Sequence, residues 1–139
     1  MVILGIDYGD VRTGISVCDK SETLASPVCV IKEHNPLRLI DEIKKIIGEY
    51  SPALLVLGLP KNMDGTVGFR GEKCLELCEM LKNETGLDCV LQDERLTTVS
   101  AHNYLSANNV RGKKRKAVVD EVASTIILQS FLDKRKNER

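Results

Sequence analysis

The apolar run Val2–Ile6, which ends on the carboxylate of Asp7, constrains the fold of this chain more than any other stretch. A short apolar run that is followed by a glycine-rich turn is typical of a buried β-strand. Because side chains alternate along a strand, Ile3, Gly5 and Asp7 share one face. A buried acid is costly unless it is paired or binds a cation. The run therefore predicts a central strand whose terminal acid has a partner, with Gly5 leaving that face of the sheet open beside it.

The composition predicts a single folded domain over residues 1–139 with a substantial hydrophobic core. Apolar residues make up 42% and charged residues 29% of the chain, which is ordinary for a globular protein. No apolar run is long enough to span a bilayer, and the N-terminus has no secretory signal, so we predict a cytoplasmic protein with no membrane partner. The five cysteines include no Cys-x-x-Cys pair and are expected to be reduced core residues.

The spacing of apolar residues predicts the element order β-β-β-α-β-α-β-α-α. Three hairpin-linked strands followed by alternating helices and strands indicate an α/β fold: a mixed five-stranded sheet, the first three strands antiparallel, with helices on both faces. The strands are predicted at residues 2–7, 15–18, 27–31, 53–59 and 87–92. The helices are predicted from Pro36 to Tyr50, after the loop 61–66, from Thr97 or Thr98 to about Leu105, and from about Ala117 to Leu132, with 134–139 a frayed tail. The inward residues of the last helix are predicted to be Val119, Val122, Ala123, Ile126, Ile127, Ser130 and Phe131.

Acidic residues stand at three boundaries of the predicted elements. Asp7 ends the first strand, Asp93 and Glu94 end the fifth, and Asp120 lies in the first turn of the last helix. Parallel sheets gather functional residues at strand ends, so these acids are expected to meet at one edge. Oxygen ligands without histidine or thiolate suit Mg²⁺ or Mn²⁺, and two such ions about 4 Å apart can promote phosphodiester cleavage. Taken singly, each acid also fits a plainer role, Asp120 as a helix-dipole partner and the other two as a charged strand end.

Positive charge is concentrated immediately before Asp120. Five of the six residues 111–116 are Lys or Arg, and residues 111–139 carry nine basic against four acidic residues, a net of +5 in a chain of zero net charge. A charge run alone is typical of a solvated surface, but beside an acid cluster it suits a polyanionic backbone. With only 4% aromatic residues, we expect phosphate and shape contacts more than base stacking. We predict a polar loop at 106–116 in which these residues bind nucleic acid: Arg111, Lys113, Lys114, Arg115 and Lys116.

Four separated motifs together resemble the YqgF (RuvX-like) family. They are Gly5–Gly9 with Arg12 and Gly14, Leu59–Pro60 with Asn62–Gly65, Asp93–Thr98, and Lys116–Asp120 with Val122–Ala123. The resemblance spans nearly the whole chain and implies an RNase H-like fold with a Mg²⁺- or Mn²⁺-dependent acidic site. Members of the family are named as Holliday junction resolvases and as nucleases that mature the small-subunit ribosomal RNA precursor.

Carried onto this sequence, the resemblance implies roles for individual residues. Asp7, Glu94 and Asp120 would be the catalytic metal ligands, although Asp93 replaces Glu94 if the strand end shifts by one residue. Arg12 and Arg95 would contact phosphate or organise the site. The loop with Asn62, Asp64 and Gly65 would lie near it, in a role that the sequence leaves open. Ser124 departs from the alanine that the family pattern leads us to expect.

Several functions fit these observations. The first is a metal-dependent endonuclease that processes the 5′ end of the pre-16S ribosomal RNA by two-metal-ion hydrolysis, acting on structured RNA as a monomer or homodimer. A Holliday junction resolvase, which would act on branched DNA as a dimer, is the nearest alternative. An actin-like or sugar-kinase-like phosphotransferase also places a glycine turn after a strand acid, but such enzymes enclose ATP between two domains. A non-catalytic nucleic-acid-binding factor in ribosome assembly or transcription is the alternative from another class.

Overall fold

The computed structural model describes residues 1–94 and 112–138 of the protein, and of residues 112–121 it describes the backbone alone. The strands are β1 (Ile3–Tyr8), β2 (Arg12–Cys18), β3 (Ala25–Lys32), β4 (Leu54–Leu59) and β5 (Asp88–Asp93). The helices are α1 (Pro36–Tyr50), α2 (Phe69–Thr85) and α3 (Gly112–Asn137). The strands form one sheet in the order β3-β2-β1-β4-β5, antiparallel from β3 to β1 and parallel from β1 to β5. The predicted mixed sheet with a central first strand is confirmed.

Local sequence signals explain where α1 and α2 begin and end. The Asn35 side chain accepts a hydrogen bond from the N–H of Leu37 at 3.0 Å, with Pro36 at the first helical position. Ser51 ends α1 and Gly86 ends α2, each in a left-handed conformation that allows its N–H to bond back to the helix. The connection from β1 to β2 is shorter than predicted, since β2 already begins at Arg12.

The core lies on both faces of the sheet, as predicted. One face packs against α1 and α2 through fully buried residues that include Leu4, Ile6, Leu55, Leu57, Leu39, Ile43, Leu77 and Leu81. The other face packs against α3 through Ile3, Val56, Ile127, Leu128 and Leu132. Cys18, Cys74, Cys78 and Cys89 are buried free thiols, and burial raises the pKa of Cys74 to about 12. These thiols act as small apolar core residues.

Helix α3 differs from its prediction in length. It begins at Gly112, so residues 112–116, predicted as part of a loop, are helical; Lys and Arg are good helix formers. It also continues to Asn137, whereas residues from 134 onwards were predicted to be frayed. Its last turn is held by Arg135, whose Nε donates to Glu22 Oε1 at 2.7 Å, and basic residues there suit the helix dipole.

The buried stripe of α3 is also rotated from the predicted one. The residues that the sheet covers are Ala123, Ser124, Ile127, Leu128 and Leu132. Val122, Ile126, Ser130 and Phe131, predicted to face inward, are only half-buried, and the side chain of Val119 lies outside the described residues. The predicted helix from Thr97 or Thr98 also lies outside them. None of the described helices is both long enough and apolar enough to span a bilayer.

Candidate active site

Asp7 and Glu94 lie at the same edge of the sheet although their strands are not neighbours. β4 runs between β1 and β5, and the three strands are parallel, so their carboxyl ends meet there. Glu94 follows β5 directly, and its N–H donates to the carbonyl of Leu59 at 3.2 Å. Gln92 pairs with Gly58 on the α3 side of the sheet, and Glu94, two residues later, shares that side with Asp7.

Gly58 allows the two acids to approach each other across β4. A Cβ at this position would collide with Oε2 of Glu94 and would lie 2.6 Å from Cδ1 of Ile127 in α3. Because glycine leaves the end of β4 bare, the Glu94 carboxylate lies over that strand on the side facing Asp7. This role became visible only with the sheet register, since the sequence marks Gly58 merely as one residue of an apolar run.

The neighbouring acid and burial both disfavour a negative charge on Glu94. Burial is the larger cause and the charge of Asp7 the next, and together they raise the pKa of Glu94 to about 7, although Arg70 opposes the shift. Asp93, on the opposite side of the sheet, adds a smaller repulsion. A pair of close carboxylates with this electrostatic cost is suited to a hard cation, whose charge would favour both ionised forms. The two acids therefore fit Mg²⁺ or Mn²⁺.

The backbone of α3 brings Asp120 towards this edge. Ser124 contacts Gly5 of β1, while Gln129 and Arg135 bind residues of the connection between β2 and β3 at the other end of the sheet. The helix therefore runs opposite to β1, and Asp120, one turn before Ser124, lies nearer the carboxyl end of that strand. The Asp120 side chain is outside the described residues, and among those described no group of three metal-ligating residues occurs.

Two buried serines fasten α3 to the sheet. Ser16 Oγ donates to the backbone carbonyl of Ser124 at 2.9 Å, and Ser124 Oγ donates to the carbonyl of Gly5 at 3.1 Å. Both serines are fully buried, with their hydroxyl oxygens 3.0 Å apart. A Cβ at Gly5 would collide with Ser16 Oγ and lie 2.8 Å from Cβ of Leu128. Gly5 therefore makes room for α3, rather than clearing space beside Asp7 as the sequence suggested.

We expect Ser124→Ala to lower the free energy of unfolding by about 1 kcal/mol, the usual net contribution of one hydrogen bond. The loss should stay small because Ser16 still donates to the backbone carbonyl of residue 124. Urea denaturation of the variant measures the effect, with Ser26→Ala on the exposed part of β3 as the control. A variant as stable as wild type would show that the serine pair does not strengthen this contact.

Arg70 is a site residue that the sequence analysis missed. Its Nη1 lies 2.5 Å from Oδ1 of Asp10, its Nη2 donates to the carbonyl of Tyr8 at 2.9 Å, and its guanidinium carbon lies 5.0 Å from the centre of the Tyr8 ring. Arg70 thus joins the first turn of α2 to the backbone directly after Asp7. No sequence signal marks it, because its partners are about 60 residues away.

The loop between β4 and α2 is shaped by its own side chains. Asp64 Oδ1 accepts hydrogen bonds from the N–H and the hydroxyl of Thr66, at 3.0 and 2.7 Å, and Asn62 Nδ2 donates to Thr66 Oγ1 at 2.9 Å. Gly65 adopts a positive φ of 88°, and its N–H donates to the carbonyl of Asn62. These residues, whose role the sequence left open, thus form a compact turn at the edge of the site. Met63 at its tip is 90% exposed.

The predicted cationic residues differ in how much of each the structure describes. Arg12 begins β2 opposite Lys32 of β3, and it lies two residues from Gly14, the partner of Asp7, so Arg12 and Asp7 share a face. Arg95 and Arg111 lie outside the described residues. Four further cations lie in the first turns of α3, and their side chains are also outside the description: Lys113, Lys114, Arg115 and Lys116.

Comparison with known proteins supports a nuclease scaffold. The model of the RuvX family, described as Holliday junction resolvase, matches residues 1–134. A Clostridium novyi (strain NT) protein named "Putative pre-16S rRNA nuclease" is 45% identical over 133 residues, which cover 96% of this chain and 98% of that protein. The Thermus thermophilus RuvC structure in complex with a Holliday junction substrate aligns with a TM-score of 0.62 at 13% identity, covering 99% and 96% of the two chains. The fowlpox virus Holliday junction resolvase aligns with a TM-score of 0.56 at 12% identity, covering 96% and 99%.

Proposed function

This chain belongs to the RuvX family and is a nuclease with an RNase H-like fold, and from that premise we propose that it is a metal-dependent endonuclease acting on structured RNA. The observation that carries the proposal is the pair Asp7 and Glu94, brought together across Gly58 at the sheet edge. We propose that Asp120 joins them as the third ligand, since α3 runs towards that edge. Because the chain is a nuclease, we interpret Asp7 as a metal ligand and not as part of a kinase-like turn that binds phosphate.

Each of these residues has a chemical role in the proposed reaction. Two Mg²⁺ or Mn²⁺ ions, when bound, would activate a water and stabilise the leaving oxygen of the phosphodiester. Asp7, at the end of the central strand, would hold these ions together with Glu94 and Asp120. Arg70 orients the strand end that carries Asp7, through its hydrogen bond to the Tyr8 carbonyl. Arg12, Arg95 and the cations at 111–116 would hold the flanking phosphates.

The relatives favour ribosomal RNA precursor as the substrate. Proteins named as pre-16S rRNA nucleases are 40–45% identical to this chain over almost its full length. The resolvases are only 12–13% identical, which is a likeness of fold alone. We therefore propose 5′-end processing of the small-subunit precursor in the cytoplasm. Junction cleavage is the second candidate, because the family description names it and RuvC binds a junction on this fold.

A cleavage panel tests the choice of substrate. The protein is incubated in Mg²⁺ and in Mn²⁺ with a precursor RNA that carries the 5′ extension, a four-way DNA junction and a plain RNA duplex. We expect one defined cut in the precursor and little cleavage of the others, with a monomer by light scattering. Paired, symmetrical cuts in the junction by a dimer would favour the resolvase. Metal-independent binding without any cleavage would instead favour a non-catalytic role.

A further inference from the structure

A cleft lies on the other side of the sheet from the acid pair. It has a volume of about 220 Å³ and lies between the turn after β1, the start of α1 and one side of α2. Tyr8 lines it, and since Tyr8 directly follows Asp7, the acid and the ring occupy opposite faces of one strand end. The remaining apolar part of its wall comes from Pro36, Leu77 and Met80.

The polar part of the cleft carries both signs of charge. Arg70, Lys73 and His34 are its cations or potential cations, and Asp10 and Glu76 are its carboxylates. Arg70 lies against the Tyr8 ring, which gives one wall a flat, stacked surface of the kind on which a base can lie. Asp10 and Arg70 pair with each other, which leaves Glu76 to accept a hydrogen bond from an amino group of a base and Lys73 to contact its phosphate.

We propose that this cleft receives one unpaired base of the substrate strand, from the nucleotide beside the cleaved phosphate. The inference rests on the proposed function and adds to it a requirement for an unpaired nucleotide at the cleavage site. The volume is below the roughly 300–1,000 Å³ of most small-molecule pockets, so it suits a single base more than a larger ligand. A base would have to be unpaired to enter, because a cleft of this volume does not hold a base together with its pairing partner.

The position of the cleft explains how one nucleotide could reach both sites. Consecutive residues of β1 supply the acid and the ring, so the two sites lie on opposite faces of the sheet at the same edge. A strand whose phosphate lies at Asp7 would pass round this edge, over the turn Tyr8–Asp10, to place a neighbouring base in the cleft. Although aromatic residues are scarce in this chain, the guanidinium of Arg70, which lies over the Tyr8 ring, offers one flat face on which a single base could stack and so select the cleavage position.

Binding of RNA without cleavage tests this proposal. All variants are made in the Asp7→Asn background, and fluorescence anisotropy measures their affinity for the precursor RNA. One unpaired nucleotide at a time is replaced by an abasic residue. We expect one position beside the cleavage site where loss of the base weakens binding about tenfold or more, as loss of a base-stacking contact does.

Filling the cleft with a large side chain should remove the dependence of RNA affinity on that one base. Glu76 is exposed and lines the cleft, so Glu76→Trp should block it without disturbing the fold, and Met80→Trp fills it from the inside. Both variants should bind intact RNA about tenfold more weakly, and their affinity should be the same whether or not the base at that position is present. Glu72→Trp, one turn earlier on α2 and outside the cleft, is the matched control and should keep the dependence.

The remaining outcomes separate the two proposals. If the RNA binds but no abasic position matters, or the same position matters equally in Glu76→Trp, Met80→Trp and Glu72→Trp, the cleft does not hold a base and the proposed function stands. If none of the Asp7→Asn proteins binds the RNA, the cleft proposal fails, and cleavage of the precursor by wild type then decides the proposed function separately.

Discussion

Replacing Asp7 by asparagine is expected to abolish metal-dependent cleavage of the precursor RNA while leaving the protein folded. Asparagine keeps the size of the side chain but removes the negative charge that would bind a divalent cation. Loss of an outer-shell partner typically costs about 10- to 100-fold in metal affinity or activity, and loss of a direct ligand should cost more than that. Single-turnover cleavage in saturating Mg²⁺ and in Mn²⁺ measures the effect.

Stability and RNA binding provide the controls for this result. Asp7 lies beside Glu94 and raises its pKa, so Asp7→Asn should not destabilise the metal-free protein. Asp88→Asn changes an exposed acid at the opposite end of β5 and should cleave like wild type. Cleavage by Asp7→Asn at the rate of the control would overturn the assignment of the site. Unchanged RNA binding with no cleavage by wild type either would indicate a binding protein.

Much of the scaffold follows from patterns that are local in the sequence. The run Val2–Ile6, the cap at Asn35 and the glycine at Gly86 each specify a strand or a helix end through interactions with near neighbours. The proximity of Asp7 and Glu94 could be predicted from the sequence for a related reason. Both end strands of the parallel part of the sheet, and all such ends lie at one edge.

The residues that the sequence did not mark act through contacts between distant segments. Gly58 is needed because the side chain of Glu94 lies over the end of β4, where a Cβ would collide with it. The sequence does not show this contact, because it depends on the register of the sheet. Arg70 matters because it reaches Tyr8 and Asp10, across about 60 residues. The rotation of α3 likewise depends on Ser124 bonding to Gly5, a contact that helical periodicity alone does not contain. Tertiary contacts of this kind override the local pattern.

Glu94→Gln is expected to stabilise the metal-free protein at alkaline pH. In the folded protein the pKa of Glu94 is raised to about 7 from its ordinary 4.5, by burial first and by Asp7 second. Between these values the folded state binds more protons than the unfolded state, so stability falls as pH rises from about 4.5 to 7. At 1.36 kcal/mol for each pKa unit the loss is at most about 3 kcal/mol, and less because the carboxyl is partly exposed.

Glu94→Gln has no carboxyl group to titrate at this position, so its stability should not fall with pH in the way that the stability of wild type does. Urea denaturation at pH 5 should give wild type and Glu94→Gln similar stabilities, whereas at pH 8 the variant should be more stable by about 1–3 kcal/mol. Asp93→Asn, on the other side of the sheet, is the neighbouring control and should show a smaller effect. A variant that is equally destabilised at both pH values would mean that the Glu94 carboxylate is favourably paired.

Adding Mg²⁺ at pH 8 should reverse the order of stability. A cation that binds only the folded protein at a thousand times its dissociation constant stabilises it by about 4.1 kcal/mol, which exceeds the difference of about 1–3 kcal/mol at pH 8. Wild type and Asp93→Asn should gain that stability, because both keep the acid pair of Asp7 and Glu94, and Glu94→Gln should gain much less. A gain by Glu94→Gln that equals the gain of wild type would place the cation elsewhere, whatever the nuclease assay shows. The buried negative charge of Glu94 beside Asp7, which weakens the metal-free protein, is thus the same feature that would make the pair a cation site.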